Sequence, residues 1–159
     1  MNQQNGTVFE LKGGLALSDF RAARALASLR KVTPLVEAVS GRFVHFVHVE
    51  RALTDDERSR LEALLTYGDP AVSVREDLAF MVVPRLGTIS PWASKASDIV
   101  KNCGIQGVAR VERGTIFSLS LSAPVSDELA AKLAAVLHDR MTESVVPVDF
   151  DASKLFETL

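Results

Sequence analysis

The chain resembles itself at an interval of 72 residues. Ser18 and Ser90, Phe20 and Trp92, Thr54 and Ser126, and Leu61 and Leu133 are four pairs with that separation (126 − 54 = 72). Each hydroxyl residue among them stands just before an apolar pattern of helical spacing, where its oxygen can accept the unpaired amide hydrogens of a first helical turn. Phe20, Trp92, Leu61 and Leu133 fall within those patterns. A repeat that preserves both caps and core positions implies two units with the same order of elements.

The elements read off in that order. Residues 7–12 alternate as a strand, and Gly13-Gly14 reads as a turn. A helix capped by Ser18 carries Phe20, Ala23, Leu26, Ala27 and Arg30 and ends before Pro34. Residues 35–39 and 43–49 flank Ser40-Gly41-Arg42 as a hairpin, with Phe43, His45, Val47 and Val49 on one side and Val44, Phe46 and His48 on the other. Thr54-Asp55-Asp56-Glu57 forms a capping box for a helix built on Leu61, Leu64 and Leu65, stopped by Gly68-Asp69-Pro70.

The second half repeats the scheme. Residues 78–83 read as a strand, Ser90-Pro91 as a helix start and Asn102-Cys103-Gly104 as its end. Residues 108–112 and 115–121 read as a hairpin around Arg113-Gly114, Ser126 caps a helix through Leu129, Leu133, Val136 and Leu137, and residues 144–148 form a closing β run. The predicted class is α+β: two tandem ferredoxin-like β-α-β-β-α units, residues 7–77 and 78–149, fused as a pseudo-dimer with antiparallel sheets. Each unit leaves an apolar sheet face uncovered by its own helices, so the two sheets are expected to cover each other's exposed face or edge. Residues 1–149 are taken as the domain and 150–159 as the start of a linker or tail.

Composition excludes several functions. No apolar run approaches the roughly 20 residues that cross a bilayer. The polar start Met1-Asn2-Gln3-Gln4-Asn5-Gly6 lacks a secretory pattern, so a cytoplasmic protein is expected. Cys103 is the single cysteine, which precludes an internal disulfide and a multi-thiolate zinc site; it is expected to be buried or half-buried. Its position at a helix C-terminus lacks the positive dipole end that activates a nucleophilic thiol. A net charge of −2 argues against nucleic acid, and Arg21, Arg24, Arg30 and Lys31 read as a solvated helix face. His45 and His48 point to opposite sheet faces and cannot easily share a metal; with His138 they are read as structural. No catalytic residue, metal or cofactor is assigned to this chain.

One segment of the second unit is richer than capping requires. Where the first unit has only Gly13-Gly14-Leu15-Ala16-Leu17-Ser18, the second has Pro84-Arg85-Leu86-Gly87-Thr88-Ile89-Ser90-Pro91-Trp92-Ala93-Ser94-Lys95-Ala96-Ser97-Asp98-Ile99. This resembles the Pro-Arg-x-Gly-Thr-x-Ser-Pro-Trp-Ser-Ser-Lys-Ala-Thr-Asp-Ile signature near the start of the large single-chain formylglycinamide ribonucleotide amidotransferases, the phosphoribosylformylglycinamidine synthases. Ala93 departs from a serine and Ser97 from a threonine. Phe43-Val44-His45-Phe46, Asn102-Cys103-Gly104, Arg110-Val111-Glu112-Arg113-Gly114 and residues 137–143 extend the similarity over most of the chain.

The resemblance implies the N-terminal, non-catalytic scaffold and coupling domain of a purine-biosynthetic ligase. In that family the whole enzyme uses glutamine, ATP and magnesium, and the synthetase and glutaminase domains of the same polypeptide are this domain's partners. Loss of those domains would expose surface, so the isolated piece is expected to self-associate. Within the signature, Gly87, Ser90, Pro91 and Trp92 read as structural motif residues, with Trp92 packing and Lys95 pairing with Asp98 on the helix surface. Arg85, Thr88, Ser94 and Lys95 are the candidate substrate-proximal or interdomain residues. Gly87, Thr88 and Ser90 precede a helix N-terminus with Arg85 just upstream, which suits a phosphate or carboxylate. A free-standing small-molecule-binding regulatory module is the alternative, separated by the length of the reading frame. RNA binding on an open sheet is weaker, because Phe43, Phe46 and Phe117 look like core.

Overall fold

The computed structural model describes residues 7–72 and 74–156. Its elements are β1 (Thr7–Leu15), α1 (Asp19–Val32), β2 (Val36–Val49), α2 (Asp55–Leu64), β3 (Leu78–Pro84), α3 (Pro91–Asn102), β4 (Val108–Leu121), α4 (Asp127–Val136), β5 (Glu143–Val146) and a closing 3-10 helix at Ala152–Phe156. The strands form one five-stranded sheet in the order β1-β2-β4-β3-β5, antiparallel at every pairing. The class is therefore α+β, with four α-helices on one antiparallel sheet. Residues 1–6 and 157–159, which hold the polar start and the end of the expected tail, lie outside the described residues.

Element boundaries repeat at the interval seen in the sequence. The starts of β2 and β4 differ by 72 (108 − 36), as do their ends (121 − 49), the starts of α1 and α3 (91 − 19) and the starts of α2 and α4 (127 − 55). Capping explains why helices begin there. The side chains of Ser18, Thr54, Ser90 and Ser126 accept from the amides of Arg21, Glu57, Ala93 and Leu129, and Thr54 with Glu57 completes a capping box. At the end of α3, Gly104 at φ +80° lets its own N–H reach the Lys101 carbonyl and the Ile105 N–H reach that of Val100, a Schellman closure. Among the described residues no helix is long and apolar enough to cross a membrane.

The two expected hairpins are absent, and each is a single 14-residue strand. A two-residue hairpin turn needs left-handed backbone at its centre. Gly41 and Gly114 have no positive φ, and serve close approach instead. A Cβ on Gly41 would lie 3.1 Å from Leu17 and 3.3 Å from Phe117, and one on Gly114 would lie 2.9 Å from the Val82 carbonyl oxygen. Consequently β2 and β4 pair along their whole length, from Val36↔Leu121 to Val49↔Val108, and of the face or edge contact expected between the halves it is the edge that forms, in one sheet. Likewise β1 continues through Gly13-Gly14 with a register shift, where a turn was expected.

All four helices lie on one face. α1 and α4 cover Val39, Phe80, Phe117 and Leu119, while α2 and α3 cover Val47, Val49, Val108 and Val111. Leu61 and Leu133, related by the 72-residue interval, are both 0% exposed, and burying each stabilises by about 1.5–3 kcal/mol. The opposite face carries Val44, Phe46, Met81 and Val83, covered by Ala152 and Leu155 of the 3-10 helix. The start of the expected tail is thus part of the core.

An ion pair of the first half reaches the second through the Gln106 amide. Arg51 donates to both oxygens of Glu57 at 2.8 and 2.9 Å, and Glu57 also accepts from the amides of Thr54 and of Gln106, each at 3.0 Å. Arg51 first, then the Thr54 amide, holds the Glu57 carboxyl well below the usual carboxylate range.

Candidate functional site

The signature segment leaves β3 at Pro84, and the Arg85 amide donates to the Thr142 carbonyl at 2.9 Å, which ties the loop to the start of β5. Gly87 takes φ +85°. The turn there is closed by Thr88, whose N–H and hydroxyl both donate to the Arg85 carbonyl, at 3.2 and 2.6 Å. Ser90 then caps α3, and Pro91 occupies its first turn, where the missing amide hydrogen has no cost.

A buried ion pair fixes this cap. Glu112, 0% exposed on β4, accepts from the Ser90 hydroxyl at 2.9 Å and faces the Ser90 amide at 3.4 Å. Arg110 pairs with Glu112 and donates to the Thr88 carbonyl at 3.0 Å, with its guanidinium 4.9 Å over the Phe156 ring. The signature loop is therefore held by Arg110-Val111-Glu112, and through Phe156 by the 3-10 helix. Ser97 accepts the Val111 amide at 3.1 Å, and Ala93 is 0% exposed. The departure from threonine thus keeps a working hydroxyl, and the departure from serine falls at a packing position.

A second cluster lies on the helix-covered face around His45. This ring is 0% exposed, with Nδ1 3.2 Å from the Leu11 carbonyl oxygen and Nε2 2.8 Å from the Tyr67 hydroxyl. Desolvation chiefly pushes its pKa down to about 4; the Leu11 carbonyl opposes the shift, and the nearby Arg113 charge adds to it. Neutrality sets the direction of the chain. A carbonyl can only accept, so Nδ1 carries the proton and Nε2 accepts from Tyr67. Tyr67 then accepts from Nη1 of Arg113 at 3.0 Å. The Arg113 guanidinium stacks on Phe43 and Trp92, 4.2 and 4.7 Å from the ring centroids.

Trp92 separates two concavities. On one side is a cleft of about 380 Å3 lined by Phe43, Pro84, Ser90, Arg113 and Thr142. On the other is an apolar groove of about 220 Å3 between α2 and α3, lined by Leu64, Tyr67, Lys95 and Ile99. Arg85, Thr88, Ser94 and Lys95 are all exposed. Lys95 reaches the groove, Thr88 spends its hydroxyl on the loop, and Arg85 is adjacent to the cleft in sequence without lining it. The expected Lys95–Asp98 pair does not form among the described residues, whose helix-surface pairs are Arg58–Glu62, Arg60–Asp56 and Lys132–Glu128.

The other titratable candidates have ordinary duties. His48 lies against Phe156 on the far sheet face, and His138 donates from Nδ1 to the Ala134 carbonyl at 2.8 Å. Arg30 donates to the Val36 carbonyl at 2.5 Å. Cys103 is exposed at the end of α3, contrary to the expectation of a buried thiol, because the apolar position of that turn falls to Ile105. No group of three or more potential metal ligands is gathered among the described residues.

Sequence reasoning passed over Arg110, Glu112, Tyr67 and Arg113 as site residues. The first, second and fourth lie in a run already matched to the amidotransferase pattern, and that run was the available signal. Nothing local marked Tyr67, which meets His45 across 22 residues.

These observations define an antiparallel α+β domain with a preformed aromatic–arginine cleft beside an exposed, cation-bearing loop. The formylglycinamide ribonucleotide amidotransferase N-terminal family matches residues 42–156, from the middle of β2 through the 3-10 helix. The chain belongs to that family.

Proposed function

We propose that this chain is the non-catalytic scaffold and coupling domain of a glutamine-dependent, ATP-dependent ligase that converts formylglycinamide ribonucleotide to formylglycinamidine ribonucleotide. Membership of the amidotransferase N-terminal family over residues 42–156 carries the reading. ATP, magnesium and the glutaminase cysteine belong to other domains of the same polypeptide, and the enzyme works in the cytoplasm. The shared 72-residue interval of element boundaries supports two repeated units, residues 7–77 and 78–149, whose central strands zip together.

Within this reading Arg85, Thr88, Ser94 and Lys95 face the synthetase domain near the ribonucleotide or the ammonia path. Their support is exposure: none is needed for the core, and the side chains of Arg85, Ser94 and Lys95 make no hydrogen bond within the described residues. In the intact enzyme, Arg85→Ala should lower amidation with glutamine while leaving glutamine hydrolysis in place. Unchanged steady-state amidation kinetics would sink the assignment.

A further inference from the structure

Arg113 is a partly buried cation with no carboxylate partner among the described residues, whose ion pairs all involve other arginines and lysines. Elsewhere Arg51, Arg75 and Arg110 each have a carboxylate. What holds Arg113 is two aromatic rings and one hydroxyl. Because Tyr67 commits its proton to His45, its oxygen serves only as an acceptor for Arg113. The guanidinium is thereby fixed in position before anything binds, and most of its five N–H donors are unused. A desolvated, preorganised fork of this kind matches a carboxylate.

The surface around the cleft says what brings that carboxylate. On the segment that carries Trp92, Arg85 and Lys95 add two more exposed cations without ion pairs among the described residues. Leu86, Ile89 and Ile99, on the same segment, are 39%, 61% and 48% exposed. A free anion would neutralise Arg113 and leave those apolar side chains in water. Glu143 on the cleft wall also disfavours a doubly charged phosphate. An acidic side chain on an apolar protein segment satisfies both the charge and the exposed surface.

We propose that the Trp92 cleft is the docking site for a neighbouring domain of the same enzyme, which seats an aspartate or glutamate against Arg113 and covers Leu86, Ile89 and Ile99. The inference rests on the domain reading above and goes further by naming the anchor and the chemistry of its partner. In the full-length enzyme, hydrogen exchange over residues 85–99 should be slow. Arg113→Met, which keeps length but removes the charge and fork, should speed it at least tenfold while the amides of β2 and β4 stay protected; Arg113→Lys should fall between.

Unchanged exchange over residues 85–99 in Arg113→Met overturns the proposal. So does protection that appears only when free glutamate is added, because the occupant is then a small carboxylate. If Arg113→Met also exposes β2 and β4, the double variant Arg85→Glu, Lys95→Glu decides instead, since it reverses charge at exposed positions: release of residues 85–99 supports docking, and retained protection overturns it. Amidation measured on the same variants separates the two readings. Released exchange with normal amidation sinks coupling and leaves docking standing; lost amidation with unchanged exchange does the reverse.

Discussion

His45 makes the domain's stability depend on pH in a window where few other groups titrate. Its pKa in the fold is about 4, against about 6.5 for an exposed imidazole. As pH falls through 6.5 the unfolded chain takes up a proton that the folded chain refuses, so the stabilisation is fully present above that pH and is lost on acidification. With those two values the loss relative to neutral pH is about 2 kcal/mol at pH 5 and about 3 kcal/mol at pH 4, a large share of the roughly 5–15 kcal/mol typical of a domain. Glu57, held below the usual carboxylate range, gives up its contribution only as pH drops beneath about 4.3.

Urea unfolding followed by the fluorescence of Trp92, the chain's one tryptophan, reads this directly in the wild type and in His45→Gln. At pH 7 the variant should be weaker by about 1–3 kcal/mol, because the Tyr67 and Leu11 partners are imperfectly replaced. Between pH 7 and pH 4 the wild type should lose about 3 kcal/mol more than the variant does. Groups common to both cancel in that difference. Parallel stability curves, or an imidazole resonance of His45 titrating near 6.5, would refute the reasoning.

Two further substitutions test how the site is held. Glu112→Ala leaves Arg110 without its partner and frees the Ser90 cap, so it should cost about 3–5 kcal/mol of unfolding free energy and speed exchange at the start of α3; a loss below about 1 kcal/mol in chemical denaturation would show the pair to be incidental. Tyr67→Phe deprives the His45 Nε2 of its donor and Arg113 of its acceptor, and should lower stability by about 1–3 kcal/mol, read as a lower Tm at neutral pH.

Every α-helix was legible in the chain, because the signals for a helix are local. A hydroxyl at the cap and a Leu61- or Leu133-type apolar stripe act within a few residues of each other, and they start α1 to α4 at the positions their caps specify. The signature segment was legible for the same reason, since its residue types and spacing are contiguous. The hairpins misled because Gly41 and Gly114 carry the residue type of a turn but are needed for closeness to Leu17, Phe117 and Val82, neighbours distant in sequence. The exposure of Cys103 was likewise set by which side of the α3 end the core occupies.

By itself, then, the sequence determined the class, the interval of 72 residues and the family, all of which follow from patterns read along the chain. Only the tertiary structure decided that the two halves share one sheet, and that His45, Tyr67, Arg113 and Trp92 come together in one cluster. Strand pairing and burial depend on which distant residues meet. Whether an arginine finds a carboxylate, two rings or water is settled by that meeting, and no local spacing encodes it.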